Sequence, residues 1–208
     1  MKADQFNGWK WTQHNTCLVG SSPDLKDSDK IASFDMDDTM ITRKSGAKWP
    51  KDAHDWIFLN EKVSPTIKKL ADEGYKIVIF TNQNGIKKGH TKAEDIQVKV
   101  GNIAKAIGVE MQVFAATSED EYRKPGVGMW TIFAEKYNGK GKIKIEKSFY
   151  CGDAAGRKDA KHKDFSDSDL KFALNVGIEF KTPENLFLGE KDKIEVKGFN
   201  PKTIPEDG

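Results

Sequence analysis

The stretch "KIASFDMDDTMI", residues 30–41, decides the fold. Ile31 to Phe34 is a short apolar run of strand type, and it stops on Asp35, Asp37 and Asp38. Aspartate is a poor strand former, and carboxylates this close together resist being ionised at the same time. Three of them at one strand end need a chemical explanation.

Working outward, the same pattern repeats. "YKIVIFTNQ" (75–83), "MQVFAAT" (111–117) and "SFYCGD" (148–153) are further strand-like runs that end on polar residues. Amphipathic helical stretches lie between and beyond them. "VSPTIKKLADEG" (63–74) carries Ser64 as N-cap, Pro65 at the first helical position and Gly74 as terminator. "TKAEDIQVKVGNIAKAIG" (91–108) has Thr91 and Glu94 at capping-box spacing and stops at Gly108. "GVGMWTIFAEKY" (126–137), "SDSDLKFALNVG" (166–177) and "TPENLFL" (182–188) complete the set, with Ser166 and Asp169 again at capping spacing. Asp167 and Asp169 are accordingly read as helix N-terminal residues.

Alternation of this kind predicts an α/β fold, a mostly parallel sheet with helices on both faces. Right-handed crossovers bring the C-terminal ends of parallel strands to one edge, where open α/β sheets bind ligands. Asp35 and Asp37, Thr81-Asn82-Gln83, Thr117 and Gly152-Asp153 should all meet there.

The 208 residues fit one ordinary domain with a full core. The expectation is a single domain over 1–208, with residues 1–29 an N-terminal extension packed on the core and 189–208 a C-terminal tail. Charged residues make up 32% and almost cancel to +2, which excludes a basic tail. Only Arg43, Arg123 and Arg157 are arginines; the remaining basic residues are lysines, most of them expected on the solvated surface. Cys17 and Cys151 make neither a disulfide framework nor a cysteine zinc site and read as reduced thiols. No segment approaches a membrane span, and the first residues lack the apolar core of a signal peptide. A soluble, intracellular, nuclear protein is the expectation.

Carboxylates gathered at one point need a counter-charge, and a hard divalent cation such as Mg2+ prefers oxygen ligands. With it, Asp35 and Asp153 can stay ionised together. Asp37, two residues from Asp35, can turn to the same pocket, so that one carboxylate attacks while the other handles a proton. The remaining groups suit a phosphate. Thr81 offers a hydroxyl, Lys124 a point charge beside Pro125, and Arg123 a bidentate contact. Asn82 is a further candidate contact. Arg157 opens the basic stretch 157–163, which can follow a nucleic-acid backbone. His14, His54, His90 and His162 form no ligand cluster by spacing. The tryptophans are expected in core or edge packing, with Trp49 the one most exposed near the site.

In order, "DMDDT" (35–39), Thr81, Lys124 and "GDAAGR" (152–157) resemble the four motifs of the haloacid-dehalogenase-like phosphohydrolases. The resemblance is closer still to the 3′-phosphatase domain of polynucleotide kinase 3′-phosphatases. It is carried by "FTNQNGIKKG" (80–89), "YRKPGVGMW" (122–130), "CGDAAGRKDAKHKDFSDSDLKFALNVGI" (151–178) and "GFNPKT" (198–203). It implies a three-layer Rossmann-like haloacid-dehalogenase fold. It also implies Asp35 as nucleophile, Asp37 as general acid and then base, and Thr81 and Lys124 on the phosphoryl oxygens. Mg2+ would be held by Asp35, the Asp37 main-chain carbonyl and Asp153. Asp164 is a candidate to orient Lys124 or a metal-bound water. The family usually has glycine where Asp38 stands. Should that position require positive φ, aspartate is among the better substitutes.

The spans from Asp35 to Thr81 and from Thr81 to Lys124 are filled by elements already described, leaving no room for a large cap domain. An uncapped site suits a phosphate on a large object such as a DNA 3′ end, held by lysine-rich rims without sequence readout. No "GxxxxGK[ST]" loop is present. The expectation is a monomeric Mg2+-dependent polynucleotide 3′-phosphatase for DNA strand-break ends, acting through an aspartyl-phosphate and without 5′-kinase activity. The alternatives are a capless phosphatase for a small metabolite such as a sugar or histidinol phosphate, and a weakly active DNA-end-binding protein.

Overall fold

The computed structural model describes residues 5–139, 141–159 and 161–195. "GFNPKT" and the end of the chain lie outside these. Strands in chain order are β1 (Lys10–His14), β2 (Cys17–Ser21), β3 (Ile31–Phe34), β4 (Ile41–Thr42), β5 (Ile57–Phe58), β6 (Lys76–Asn82), β7 (Met111–Ala116), β8 (Phe149–Cys151) and β9 (Glu179–Lys181). Helices are α1 (Val63–Asp72), α2 (Ala93–Ile107), α3 (Gly128–Ile132), α4 (Ser168–Val176) and α5 (Pro183–Leu188).

Seven strands form one sheet in the order β1-β2-β7-β6-β3-β8-β9. From β7 to β9 every pairing is parallel. The wholly buried β3 runs between β6 and β8. This order places the C-terminal ends of the three strands that carry Asp35, Thr81 and Asp153 side by side. Strand alternation then sorts the core into two layers. Ala32, Phe34, Ile77 and Ile79 pack with α1, α2 and α5, whereas Ile31, Val78 and Phe80 pack with α3 and α4. Phe80 centres the second layer, with ring centroids 5.3 Å from Phe114, 5.6 Å from Phe172 and 5.7 Å from Phe133. The segment between β3 and α1 holds only the β4–β5 ribbon, so no large cap stands among the described residues.

The N-terminal extension is the main departure from the sequence expectation. Residues 10–21 form an antiparallel hairpin that lengthens the sheet beside β7. Its strands are short, and Gly20 interrupts the strand signal. That glycine is required, because a Cβ there would lie 2.5 Å from the Trp11 ring opposite. Helix starts also differ. Lys62, not Ser64, is the N-cap of α1, since Asn60 Oδ1 accepts from Lys62 N and sets the entry two residues earlier. Thr91 lies just before the Lys92 N-cap of α2 and makes no capping bond. Gly108 does close α2, at φ 79°.

Candidate active site

Asp35 follows the last residue of β3, and its N–H still pairs with Cys151 O on β8. Its Oδ1 accepts from Met36 N at 2.8 Å and faces Lys124 Nζ at 3.1 Å. Oδ2 has no hydrogen-bond partner among the described residues and stands as the free oxygen. Lys124 is buried, and its Nζ also donates to Asp169 Oδ1 at 2.7 Å and Tyr150 Oη at 2.6 Å. Burial works against the lysine's charge, but the Asp169 and Asp35 carboxylates outweigh it and hold its pKa above the usual value. Burial pushes the Asp35 carboxyl well up, with Lys124 opposing and Asp169, Asp153 and Asp37 adding to the rise.

Asp169 therefore does what was expected of Asp164. Its Oδ2 accepts from Ala154 N at 3.0 Å, so the carboxylate joins the loop after β8 to Lys124 rather than capping its own helix. Gly152 makes this possible, because a Cβ there would fall 2.4 Å from the Asp169 carboxyl carbon. Asp164 instead binds Arg157, through Nε at 2.8 Å and the main-chain N at 3.0 Å. The Arg157 guanidinium also reaches Glu184 at 2.8 Å and Asp153 O at 3.2 Å. With its side chain 5% exposed, Arg157 braces the Asp153 loop and is not among the cavity-lining residues.

On the other side, Gln83 Nε2 donates to both Asp37 Oδ2 and Thr81 Oγ1, each at 3.0 Å, and so fixes their spacing. Asn82 lines the cavity and is also tied to Lys124. Its amide clamps the Lys124 backbone, accepting from Lys124 N at 2.9 Å and donating to Lys124 O at 3.2 Å. Thr39 Oγ1 donates to Asp153 Oδ1 at 3.0 Å. Arg123 lines the cavity, and its side chain has no partner among the described residues. Asp38 adopts φ 58°, and its Oδ1 accepts from Thr42 Oγ1 at 3.2 Å and lies 3.7 Å from Arg43 Nη2.

These groups line one cavity of about 580 Å³. Trp49, 43% exposed and stacked on His90 at 4.5 Å, and Phe165, 93% exposed, also line it. Carboxylate oxygens of Asp35, Asp153 and Asp169 come within 4.8 Å of one another. Both Asp169 oxygens are taken by protein donors, which leaves Asp35 and Asp153 as the better pair for a cation. Asp153 is pushed up to about 6, first by burial and then by Asp169. An oxygen-only donor set with uncompensated negative charge fits a hard divalent cation. Both cysteines are buried and free. No helix among the described residues is long and apolar enough to cross a membrane.

The parallel strand order and the helices on both faces of the sheet are those of a haloacid-dehalogenase-like phosphatase fold. The polynucleotide kinase 3 phosphatase family model matches residues 30–187, and the chain belongs to that family. It is 38% identical over 196 residues to the bifunctional polynucleotide phosphatase/kinase of Schizosaccharomyces pombe, covering 93% of this chain and 46% of that protein. The chain thus spans about half of that relative. It is 30% identical over 212 residues to the polynucleotide 3′-phosphatase of Saccharomyces cerevisiae, covering 76% of this chain and 87% of that one. Among solved structures, D,D-heptose 1,7-bisphosphate phosphatase from B. bronchiseptica shares the fold at TM-score 0.58 and 17% identity, over 80% of this chain and 88% of that one.

Proposed function

We propose that the chain is a Mg2+-dependent polynucleotide 3′-phosphatase that removes 3′-phosphates at DNA ends, as a single phosphatase domain acting in the nucleus. One observation carries it: in a member of this family, Asp35, Asp37, Thr81, Lys124 and Asp153 converge on one uncapped cavity. The Asp35 carboxylate attacks phosphorus through the oxygen that Met36 and Lys124 leave free, forming an aspartyl-phosphate as the P–O bond to the 3′ oxygen breaks. Asp37, oriented by Gln83, gives its proton to that oxygen, then takes one from the water that cleaves the aspartyl-phosphate. Lys124, Thr81 and Arg123 hold the phosphoryl oxygens, with Lys124 kept charged by Asp169. Asp35, the Asp37 main-chain carbonyl and Asp153 would hold Mg2+, which when bound offsets the negative charge of the carboxylates and phosphate. With no "GxxxxGK[ST]" loop in this chain, 5′-kinase activity is not part of the proposal.

The test is phosphate release from a 3′-phosphorylated oligonucleotide and from small phosphomonoesters, with Mg2+ or chelator, for wild type and Asp35→Asn. The oligonucleotide should be preferred, with turnover abolished by chelator and by Asp35→Asn. Preference for the small esters would sink the proposal.

A further inference from the structure

Lys99, in the middle of α2, is 2% exposed, as buried as the core residues around it. Yet its ammonium has no hydrogen bond or ion pair with another described residue. The other two buried lysines are fully engaged: Lys76 by Asp27, Tyr137 O and Asn138, and Lys124 by Asp35, Asp169 and Tyr150. The Lys99 stem is packed in the core, while the ammonium is not among the enclosed partnerless polar atoms and opens on the cavity. Lys99 lines that cavity together with Gln83, Asn84 and Trp49. An anion in the cavity would give it the counter-charge that no described residue supplies.

The transferred phosphoryl group already has Thr81, Lys124 and Arg123 beside Asp35. Lys99 enters from a different element, α2, and makes no hydrogen bond or ion pair with that set. We propose that Lys99 binds an internal phosphodiester of the substrate, close to the 3′ end, and so separates polynucleotides from small phosphate esters. The proposal rests on the polynucleotide 3′-phosphatase function above. It accounts for an ammonium that opens on the cavity without a protein partner, since the substrate backbone brings the partner with it.

The test compares a 3′-phosphorylated octanucleotide with a nucleoside 3′-monophosphate, for wild type, Lys99→Met and Lys99→Arg. Lys99→Met should lower the oligonucleotide-to-monophosphate ratio of kcat/KM about ten-fold, mainly through KM, as loss of one charge-assisted contact does. The salt slope of log KM should fall by about one contact's worth, and Lys99→Arg should restore most of both. A neutral methylphosphonate, placed in turn at each of the first three linkages, should cost the wild type a similar factor at one position. At that position it should cost Lys99→Met almost nothing. If the two losses multiply at every linkage, or if Lys99→Met slows both substrates equally, Lys99 does not bind a phosphodiester. The substrate modification tests this even where the variant folds poorly. Wild-type preference for the monophosphate would sink the functional proposal and this one together, whereas additive losses with oligonucleotide preference intact would sink this one alone.

Discussion

Lys76 and Lys124 are both buried lysines tied to carboxylates, and they stand at opposite edges of the same sheet. Lys76 opens β6 and is satisfied by Asp27 at 2.9 Å, Tyr137 O at 2.8 Å and Asn138 at 3.2 Å. Asp27 is itself half-exposed, so one acid and two neutral oxygens suffice, and burial leaves the Lys76 pKa below its usual value. At the other edge Lys124 faces the half-buried Asp35 and the buried Asp169, with Asp153 close by, and its pKa rises instead. One edge is electrostatically complete. The other keeps more negative charge than its lysine can balance, which suits a site that must take up a cation and a phosphate.

The sharpest way to break this comparison is to remove each lysine. Lys124→Met should lower kcat by about 10²–10³-fold or more, as loss of a preorganised donor does, and also destabilise the fold by leaving Asp35 and Asp169 unpaired. Lys76→Met should leave kcat near wild type and cost about 1–3 kcal/mol, mostly from neutral oxygens left unpaired. Steady-state kinetics and denaturant unfolding measure both. Equal kcat losses would mean that the two edges do not differ in role.

Asp169→Asn should act next most strongly, slowing turnover about 10–100-fold, the usual scale for loss of a supporting carboxylate. Because Asp169 raises the Lys124 pKa, its loss should move the alkaline limb of the pH–rate profile to lower pH. A slower enzyme with an unmoved limb would make Asp169 a packing residue only.

Asp169 also marks where the sequence stops being legible. The parallel sheet, the two helical layers and the meeting of Asp35, Asp37, Thr81 and Asp153 follow from strand ends and crossover handedness, whereas Lys124, well past the end of β7, is legible only from its motif and its place in the motif order. The Asp169–Lys124 bond spans 45 residues and passes through a glycine whose need is steric. In sequence, Asp169 looks like any acid in a first helical turn. Arg157 misled in the opposite sense. It heads a basic stretch and suggested a nucleic-acid contact, but Asp164 and Glu184 draw it inward. Gln83 was visible as one of three polar residues after a strand, but which of them would tie Asp37 to Thr81 depends on side-chain reach. The β1–β2 hairpin escapes a sequence reading because β1 is polar and largely exposed and β2 carries the glycine that admits Trp11.

A smaller effect should appear in stability against pH. Asp153 has its pKa raised to about 6 from 3.8, so between those values the unfolded chain has lost a proton that the folded protein keeps. Without Mg2+, stability should therefore fall as pH rises from about 4 to 6, by at most about 3 kcal/mol. Added Mg2+ should reverse this, raising Tm more at pH 7.5 than at pH 5, where protons compete for the carboxylate. Equal Mg2+ shifts at both pH values would remove Asp153 from the proposed metal site.

The smallest effect is expected at Asp38, the one acid of the opening stretch that the chemistry does not use. Its φ of 58° is a conformation aspartate tolerates, so Asp38→Gly relieves little strain. The Thr42 contact it loses and the freedom glycine adds to the unfolded chain roughly offset that gain, and stability should stay within about 1 kcal/mol. Catalysis is more informative. Asp38 lines the cavity and lies 3.7 Å from Arg43, whose Nε has no partner. Removing the carboxylate removes a charge that repels phosphate and releases a guanidinium that attracts it. KM for a 3′-phosphorylated oligonucleotide should then fall by about two- to five-fold at low salt and less at high salt. Asp38→Asn separates the causes, because asparagine also tolerates this backbone but carries no charge. If it reproduces the KM gain, charge is responsible; if only Asp38→Gly does so, the backbone is.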